Sequence, residues 1–506
     1  MADPFPRVVV FVHGWSVSHT DTYGGLPERL VAESRAVGLS LVVKQIYLGR
    51  YISFHDEVRL QDISHAFQDA VERELNDLVR QFGRFACITH STGGPVIRDW
   101  WWRHYQSQPR APKCPMSHLV MLAPANFGST LAQLGKARVG RLKSWFNDVE
   151  PGTGVLDWLE LGSPEAWLLN GDWIDCSPSA IGVRGIFPFV LTGQSIDRKF
   201  YDHLNTYTGE QGSDGVVRVA AANLNSTRIR LRQVEAARTR GGGFAAPELK
   251  PDGETAISHS PQTALRVLAA KSHSGKEMGI MRSVTARAGV RKDAATVSAI
   301  FDCLKVTDRR GYLALCKRFE AETRKVQQDE RKEVETHLLL PDHFFIHDRY
   351  AMVIFRVRDE AGYAVEDFDL VLTAGPENDP NHLPKGFALD RQANNRDRGT
   401  ITYYFNWDVM AGCKEVAHDG KVMRPASPGA KSLGLRINPR PTEGFVHYLP
   451  CGIKASTELL KTILLPNQTT LVDIVLKRII RRSVFELDQG VKRKSFKQIP
   501  PGDPIP

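Results

Sequence analysis

The sequence predicts an α/β fold, a mostly parallel sheet flanked by helices, followed by a C-terminal antiparallel β-rich region of sandwich type. Three observations predict it. Up to about residue 300, short apolar runs alternate with amphipathic stretches, and such alternation is satisfied by parallel strands covered with helices on both faces. Beyond His337 the runs are short, β-branched and aromatic, and broken by Pro, Gly and Asn turns, the pattern of an antiparallel sandwich. Between these halves Asp308–Glu335 is strongly charged and free of proline, which reads as a solvated helix joining them. A chain of 506 residues is expected to hold two or three domains. They are assigned as 1–300, a helical linker 301–337, and 338–506.

Arg7–Val12 reads as a buried first strand that ends in His13-Gly14-Trp15, and Ser40–Tyr47 as a second. Leu60–Gln81 places Ile63, Phe67, Val71, Leu75 and Leu78 at helical spacing. Arg84–His90 is the next strand and Pro95–Tyr105 the helix after it. Ser117–Ala123, Phe187–Thr192 and Ala264–Lys271 read as further strands, with a helix expected to open at Ser274-Gly275-Lys276-Glu277. An insertion over 128–186 carries Trp145, Phe146, Trp158, Trp167 and Trp173 among glycines; this suits a packed cap and a lipid-facing lid equally. Ala236–Pro251, with three consecutive glycines, reads as an exposed loop. In the last third the strand-like runs are Phe344–Val357, Phe368–Thr373, Thr400–Phe405, Leu433–Ile437, Phe445–Leu449 and Leu471–Ile480.

Composition, 42% hydrophobic and 24% charged, is that of a soluble globular chain. A net charge of +9 suits an anionic surface such as phospholipid headgroups or nucleic acid without choosing between them. No nucleic-acid module is visible in the sequence, and no apolar run approaches the roughly 20 residues needed to span a bilayer. Met1-Ala2-Asp3-Pro4-Phe5-Pro6 runs directly into the first strand without a secretory signal. Synthesis in the cytoplasm is therefore expected, with any export left to a specialised secretion system. The seven cysteines are scattered and odd in number, as in a reduced chain. No zinc-type spacing occurs, and no metal or organic cofactor is expected. Lys477, Arg478, Arg481, Arg482, Lys492, Arg493, Lys494 and Lys497 make the C-terminal stretch basic. It reads as a solvated strand and tail or as a contact for anionic headgroups.

Chemistry is concentrated in Phe85-Ala86-Cys87-Ile88-Thr89-His90-Ser91-Thr92-Gly93-Gly94-Pro95. An apolar strand stops at a serine, glycines follow, and a helix begins at once: the strand–turn–helix context that exposes a serine as a nucleophile. The turn demands small residues two before and two after the serine. Gly93 meets that demand, and Thr89 stands where glycine is commoner. Such a serine needs an imidazole base, a carboxylate to orient it, and donors for an oxyanion. His13-Gly14 at the end of the first strand lets the backbone come close, so the N–H groups of Trp15 and Thr92 are the expected donors. Asp214, in Gly212-Ser213-Asp214-Gly215-Val216-Val217, is the expected acid, with Asp202 as rival. His273, just past the strand at Ala264–Lys271, is the expected base, because it lies on the sheet edge where open α/β sheets bind ligands. His259 would sit at the opposite end, and His90 is expected to pack or hydrogen-bond locally.

Together Val10-Phe11-Val12-His13-Gly14-Trp15, Ile88-Thr89-His90-Ser91-Thr92-Gly93-Gly94, Ser213-Asp214-Gly215-Val216-Val217 and the post-strand loop Leu119–Ser129 resemble α/β-hydrolase lipases over about residues 7–290. The resemblance implies Ser91 as nucleophile, Asp214 as acid, His273 as base, backbone donors at Trp15 and Thr92, and a lipid or phospholipid ester as substrate. More weakly, the whole chain resembles bacterial lipase effectors delivered by type VI secretion. That implies an antibacterial role, peripheral membrane contact, and an immunity or secretion-apparatus protein bound by the C-terminal region. The alternatives are an acyltransferase or thioesterase of the same fold, and a binding or delivery scaffold with a decayed site.

Overall fold

The computed structural model describes residues 5–13, 21–52, 57–107, 112–133, 152–196, 211–235, 247–335 and 343–481. Strands β1 (Val8–His13), β2 (Val42–Tyr47), β3 (Phe85–His90), β4 (Met116–Leu122) and β5 (Phe187–Thr192) precede three strands that belong elsewhere. These are β6 (Ser226–Val234), β7 (Glu248–Pro251) and β8 (Ile257–His259). With β9 (Ala264–Val267) the first five form a wholly parallel sheet in the order β2-β1-β3-β4-β5-β9. Strands β1, β4 and β5 are buried along their whole length, which is why their sequences are unbroken apolar runs rather than alternating ones.

Helices α1 (Leu26–Ser34), α2 (Leu60–Ala70), α3 (Asn76–Phe82) and α4 (Gly93–Tyr105) follow the early strands. A single π turn over Val71–Leu75 joins α2 to α3, so the amphipathic run expected at 60–81 is one helix with an extra residue in its middle. In the insertion, α5 (Thr153–Leu159) and α6 (Pro164–Asp175) bury Trp158, Trp167 and Trp173, so its described part is packed. Trp145 and Phe146 lie outside the described residues. A short helix, α7 (Val219–Ala222), precedes β6. No helix opens at Ser274: Gly275 has φ 107°, and a Cβ on Gly279 would lie 2.4 Å from the Gly275 carbonyl oxygen. The chain runs in turns until α8 (Ala294–Leu304).

The charged stretch forms α9 (Arg309–Asp329). Its buried face is Tyr312, Leu315, Cys316, Phe319, Thr323 and Gln327, so one side is solvated and the other covers β9. The Tyr312 hydroxyl donates to the Pro188 carbonyl at 2.6 Å, and the Val267 N–H donates to Thr323 Oγ1 at 3.0 Å.

After the ribbon β10 (Lys332–Glu335) and β11 (His343–Ile346) come β12 (Tyr350–Asp359), β13 (Phe368–Ala374), β14 (Ala388–Ala393) and β15 (Thr400–Asn406). A second ribbon, β16 (Val416–His418) and β17 (Lys421–Arg424), precedes β18 (Ser432–Pro439), β19 (Val446–His447), β20 (Cys451–Ser456), β21 (Thr469–Leu476) and β22 (Ile479–Ile480). Ten strands make one large sheet in the order β13-β18-β20-β7-β6-β21-β12-β15-β14, with β8 against β6. This β-rich sheet is mixed, because β21 lies parallel to both β6 and β12. Thus β6, β7 and β8, which precede β9 of the parallel sheet in sequence, sit inside the large sheet, where β7 and β6 join β20 to β21.

Side chains on this sheet alternate between two cores, as the two-residue period of a strand requires. Tyr350, Met352, Ile354, Tyr404 and Leu471 join the core of the parallel sheet. Val353, Phe355, Val357, Tyr403, Phe405 and Val472 face a second core. The large sheet therefore lies with one face against the α/β layer. No helix among the described residues is long and apolar enough to cross a membrane.

Candidate active site

Strand β3 ends and α4 begins within two residues, and the chain manages this by placing Ser91 at φ 53°. That left-handed backbone is unfavourable for a residue with a Cβ, and such strain persists where surrounding structure holds it. Here the Ser91 N–H donates to the Leu122 carbonyl at 3.0 Å, and the Ser91 carbonyl accepts from Ala125 N–H at 3.3 Å. A Cβ on Gly93 would lie 3.2 Å from the Thr89 Cβ, so the missing side chain at Gly93 is what lets threonine stand at position 89. Gly94 is equally constrained, since its Cβ would meet the Pro124 Cβ at 2.7 Å.

His273 is brought to Ser91 by the loop after β9. Its Nε2 lies 3.0 Å from Ser91 Oγ, and its Nδ1 lies 3.0 Å from Asp214 Oδ2. Asp214 is fully buried, and its other oxygen accepts from the N–H groups of Val216 at 3.0 Å and Val217 at 2.8 Å. A carboxylate so occupied has one oxygen left for the imidazole. It therefore selects the tautomer with the proton on Nδ1, leaving the Nε2 lone pair for the serine hydroxyl. The backbone repeats the link: His273 N–H donates to the Asp214 carbonyl at 2.9 Å. Three residues spread over 183 positions of sequence thus form one hydrogen-bonded line.

Thr92 sits directly before the first turn of α4, where N–H groups have no partner inside the helix and the dipole favours negative charge. Trp15, the other expected donor, lies outside the described residues, as does Asp202. His259 is on β8 in the second sheet, bonded to Thr227 at 3.1 Å and away from this line.

His90 does more than pack locally. Its Nε2 lies 3.0 Å from the His273 carbonyl oxygen and its ring sits 4.6 Å from the His273 ring. Burial, and then the neighbouring His273, hold its pKa well below the usual histidine value, so it is neutral. His13, at the end of β1, is also neutral: burial lowers its pKa to about 4 against the opposing bond to Gln45. The sequence held no signal for two further contacts. Glu330, just past α9, accepts from Ala270 N–H at 2.6 Å and from Gln194 Nε2 at 2.8 Å, joining the loops after β5 and β9. Arg98, buried in α4, bonds Asn126 Oδ1 at 3.2 Å and lies 5.7 Å from the Trp173 ring. Among the described residues no group of three His, Cys, Asp or Glu is arranged to hold a metal ion.

Comparison with known proteins bears on this geometry. No family model matches the sequence, and no curated protein is similar to it. Among solved structures, phospholipase PlaB from Legionella pneumophila is similar at 42% identity, covering 99% of this chain and 100% of that one, with a TM-score of 0.81. The same phospholipase in complex with thio-NAD is similar at 40% identity, with the same coverage and TM-score. Lipase BlEst2 from Bacillus licheniformis is 19% identical, over 44% of this chain and 81% of that one, at a TM-score of 0.32. That likeness is too slight to bear on the site, whereas the full-length match does: the chain belongs to the PlaB phospholipase family of carboxylic ester hydrolases.

Proposed function

We propose that the protein hydrolyses carboxylic esters of phospholipids through an acyl-enzyme on Ser91. The observation that carries this is the line Ser91–His273–Asp214, with both side-chain separations at 3.0 Å and the serine held at φ 53°. His273 Nε2 takes the Ser91 proton as Oγ attacks the acyl carbonyl, and the imidazolium formed is held by Asp214. The Thr92 N–H, with that of Trp15, receives the charge that develops on the carbonyl oxygen. The imidazolium then protonates the leaving alcohol. Water, deprotonated by the same nitrogen, releases the fatty acid and restores the serine. The phospholipid substrate is supported by the family, whose solved member is named a phospholipase. Contact with a lipid surface is supported by Phe445, 63% exposed, and Ile480, 44% exposed, on the ribbon that carries Arg481.

The test is fatty-acid release from mixed phospholipid vesicles by wild type and Ser91→Ala, read by mass spectrometry. Release by wild type with accumulating lysolipid, and none by the variant, is expected. Equal release by the two would remove Ser91 from the reaction. Transfer of the acyl group to an added alcohol in preference to water would favour an acyltransferase. Action against a rival cell is a separate proposal carried by sequence resemblance alone. It predicts that wild type sent to a host's own envelope kills and that Ser91→Ala does not.

A further inference from the structure

Part of the β-rich half lies against the acid loop, residues 211–219. The Tyr404 hydroxyl lies 3.0 Å from the Gln211 carbonyl oxygen and 3.3 Å from that of Gly212, and donates its one proton between them. The Tyr350 hydroxyl donates to Gln211 Oε1 at 2.6 Å, and the two tyrosine rings stack 4.9 Å apart. Gly212 has φ 72°, and a Cβ there would lie 2.2 Å from Tyr350 Cδ2 and 2.5 Å from the Tyr404 oxygen. At Gly212 the loop thus touches the sheet through backbone, with no side chain between. At its far end Arg218, also buried, lies 4.1 Å from the Tyr404 ring and bonds Asp390 on β14. Beyond it, Thr469 Oγ1 on β21 donates to the Ala220 carbonyl at 2.8 Å. Val219 N–H closes the loop on the Gly212 carbonyl at 2.9 Å.

We propose that Tyr404, assisted by Tyr350, is a positioning residue for Asp214, and that the β-rich half is in this way part of the catalytic apparatus. This role rests on Ser91, His273 and Asp214 acting as proposed above. Asp214 lies two residues from Gly212, and its carbonyl also accepts the backbone N–H of His273. A shift of the loop therefore moves acid and base together. Tyr404 bonds the loop backbone at Gln211 and Gly212 rather than the Asp214 carboxylate, and acts through the loop. Its neighbour Tyr403 provides the control, because it points to the opposite face and donates to the Leu370 carbonyl at 2.8 Å inside the second core.

The test uses the full-length enzyme on a soluble short-chain ester, measuring kcat, KM and the thermal midpoint. The variants are Tyr404→Phe, Tyr350→Phe, Tyr403→Phe, Asp214→Asn and each of the first two combined with Asp214→Asn. Small displacements of a catalytic group lower rates by up to about 100-fold. Loss of one hydroxyl that fixes the loop is expected to lower kcat about tenfold with KM unchanged. Tyr350→Phe, whose hydroxyl bonds the Gln211 side chain rather than the loop backbone, should fall less, and Tyr403→Phe should keep kcat. Residues that act as a unit are non-additive, so neither tyrosine change should lower kcat further once Asp214 is Asn. Unchanged kcat in Tyr404→Phe, or the same fractional loss with and without Asp214, would overturn the proposal. Should Asp214→Asn itself keep full activity, the reading of the triad fails first and the proposal with it.

Discussion

Replacing Asp214 by asparagine changes one oxygen to an amide nitrogen and almost nothing in volume, so its consequence can be worked from hydrogen bonds alone. Oδ1 accepts from the N–H groups of Val216 and Val217, and Oδ2 faces His273 Nδ1 at 3.0 Å. Asparagine must keep its oxygen toward the two backbone donors, since its NH2 there would confront two N–H groups. The NH2 then faces Nδ1, which must accept, and the imidazole proton moves to Nε2. That proton points at Ser91 Oγ, 3.0 Å away, where a lone pair is needed. The imidazolium formed on attack also loses its counter-charge. In the serine protease template the equivalent change lowers kcat about 10⁴-fold, or about 5.4 kcal/mol of activation free energy. A loss of that order is expected here on a soluble ester, with the thermal midpoint showing that the variant is folded. A folded Asp214→Asn retaining more than about a tenth of kcat would refute the reasoning, because a tautomer switch cannot leave so much.

Three other outcomes follow from the packing. His13 and His118 have pKa values lowered to about 4, and His90 lies well below the usual value, in each case chiefly through burial. The unfolded chain titrates them near 6.5, so it binds more protons between those limits. The stability they contribute is complete above about pH 6.5, falls as pH drops toward about 4, and is lost below that. Denaturant midpoints measured from pH 7.5 to 4.5 should decline across that window, and His118→Gln should flatten the decline; a level profile would contradict the assignment. Gly193→Ala would put a Cβ 1.8 Å from the Lys271 carbonyl oxygen, in the loop that carries His273. It is expected to cost about 3 kcal/mol of stability or more and to lower kcat, which calorimetry and ester kinetics check; wild-type values for both would count against the loop packing. The Arg98 guanidinium is buried, with its pKa lowered to about 9 and its Nε and Nη2 atoms unpartnered among the described residues. Arg98→Met should keep or raise the thermal midpoint, and a drop of several degrees would show that the charge stabilises the fold.

The α/β half was legible because its signals are local. A strand that stops at Ser91 before two glycines, and an Asp-Gly turn at 214–215, announce themselves within a few residues, and His273 follows from lying just past a strand. What pairs across the chain was not legible. Ser226–Val234 alternates arginine with Ile229 and Leu231, a strand signature, yet nothing local says that it joins a sheet made mostly by residues beyond 350. The parallel junction of β21 with β6 arises from that insertion, and that of β21 with β12 joins strands more than 100 residues apart. Nothing local marks Tyr350 and Tyr404, because their hydroxyl partners, Gln211 and Gly212, lie more than 130 residues away. His90 stands next to Ser91 in sequence, yet its partner is the backbone of His273, 183 positions away. The charged face of α9 suggested a solvated linker, while the Tyr312–Phe319–Thr323 stripe on its other side packs on β9.

The most direct test of the account is covalent capture of the nucleophile. The full-length enzyme is treated with a p-nitrophenyl alkylphosphonate, from which the serine displaces p-nitrophenolate, then digested, and the modified peptide is identified by mass spectrometry. The account predicts one adduct, on Ser91, that forms far more slowly in His273→Ala and is absent from Ser91→Ala. An adduct on another residue, or equal labelling of folded Ser91→Ala, would contradict it.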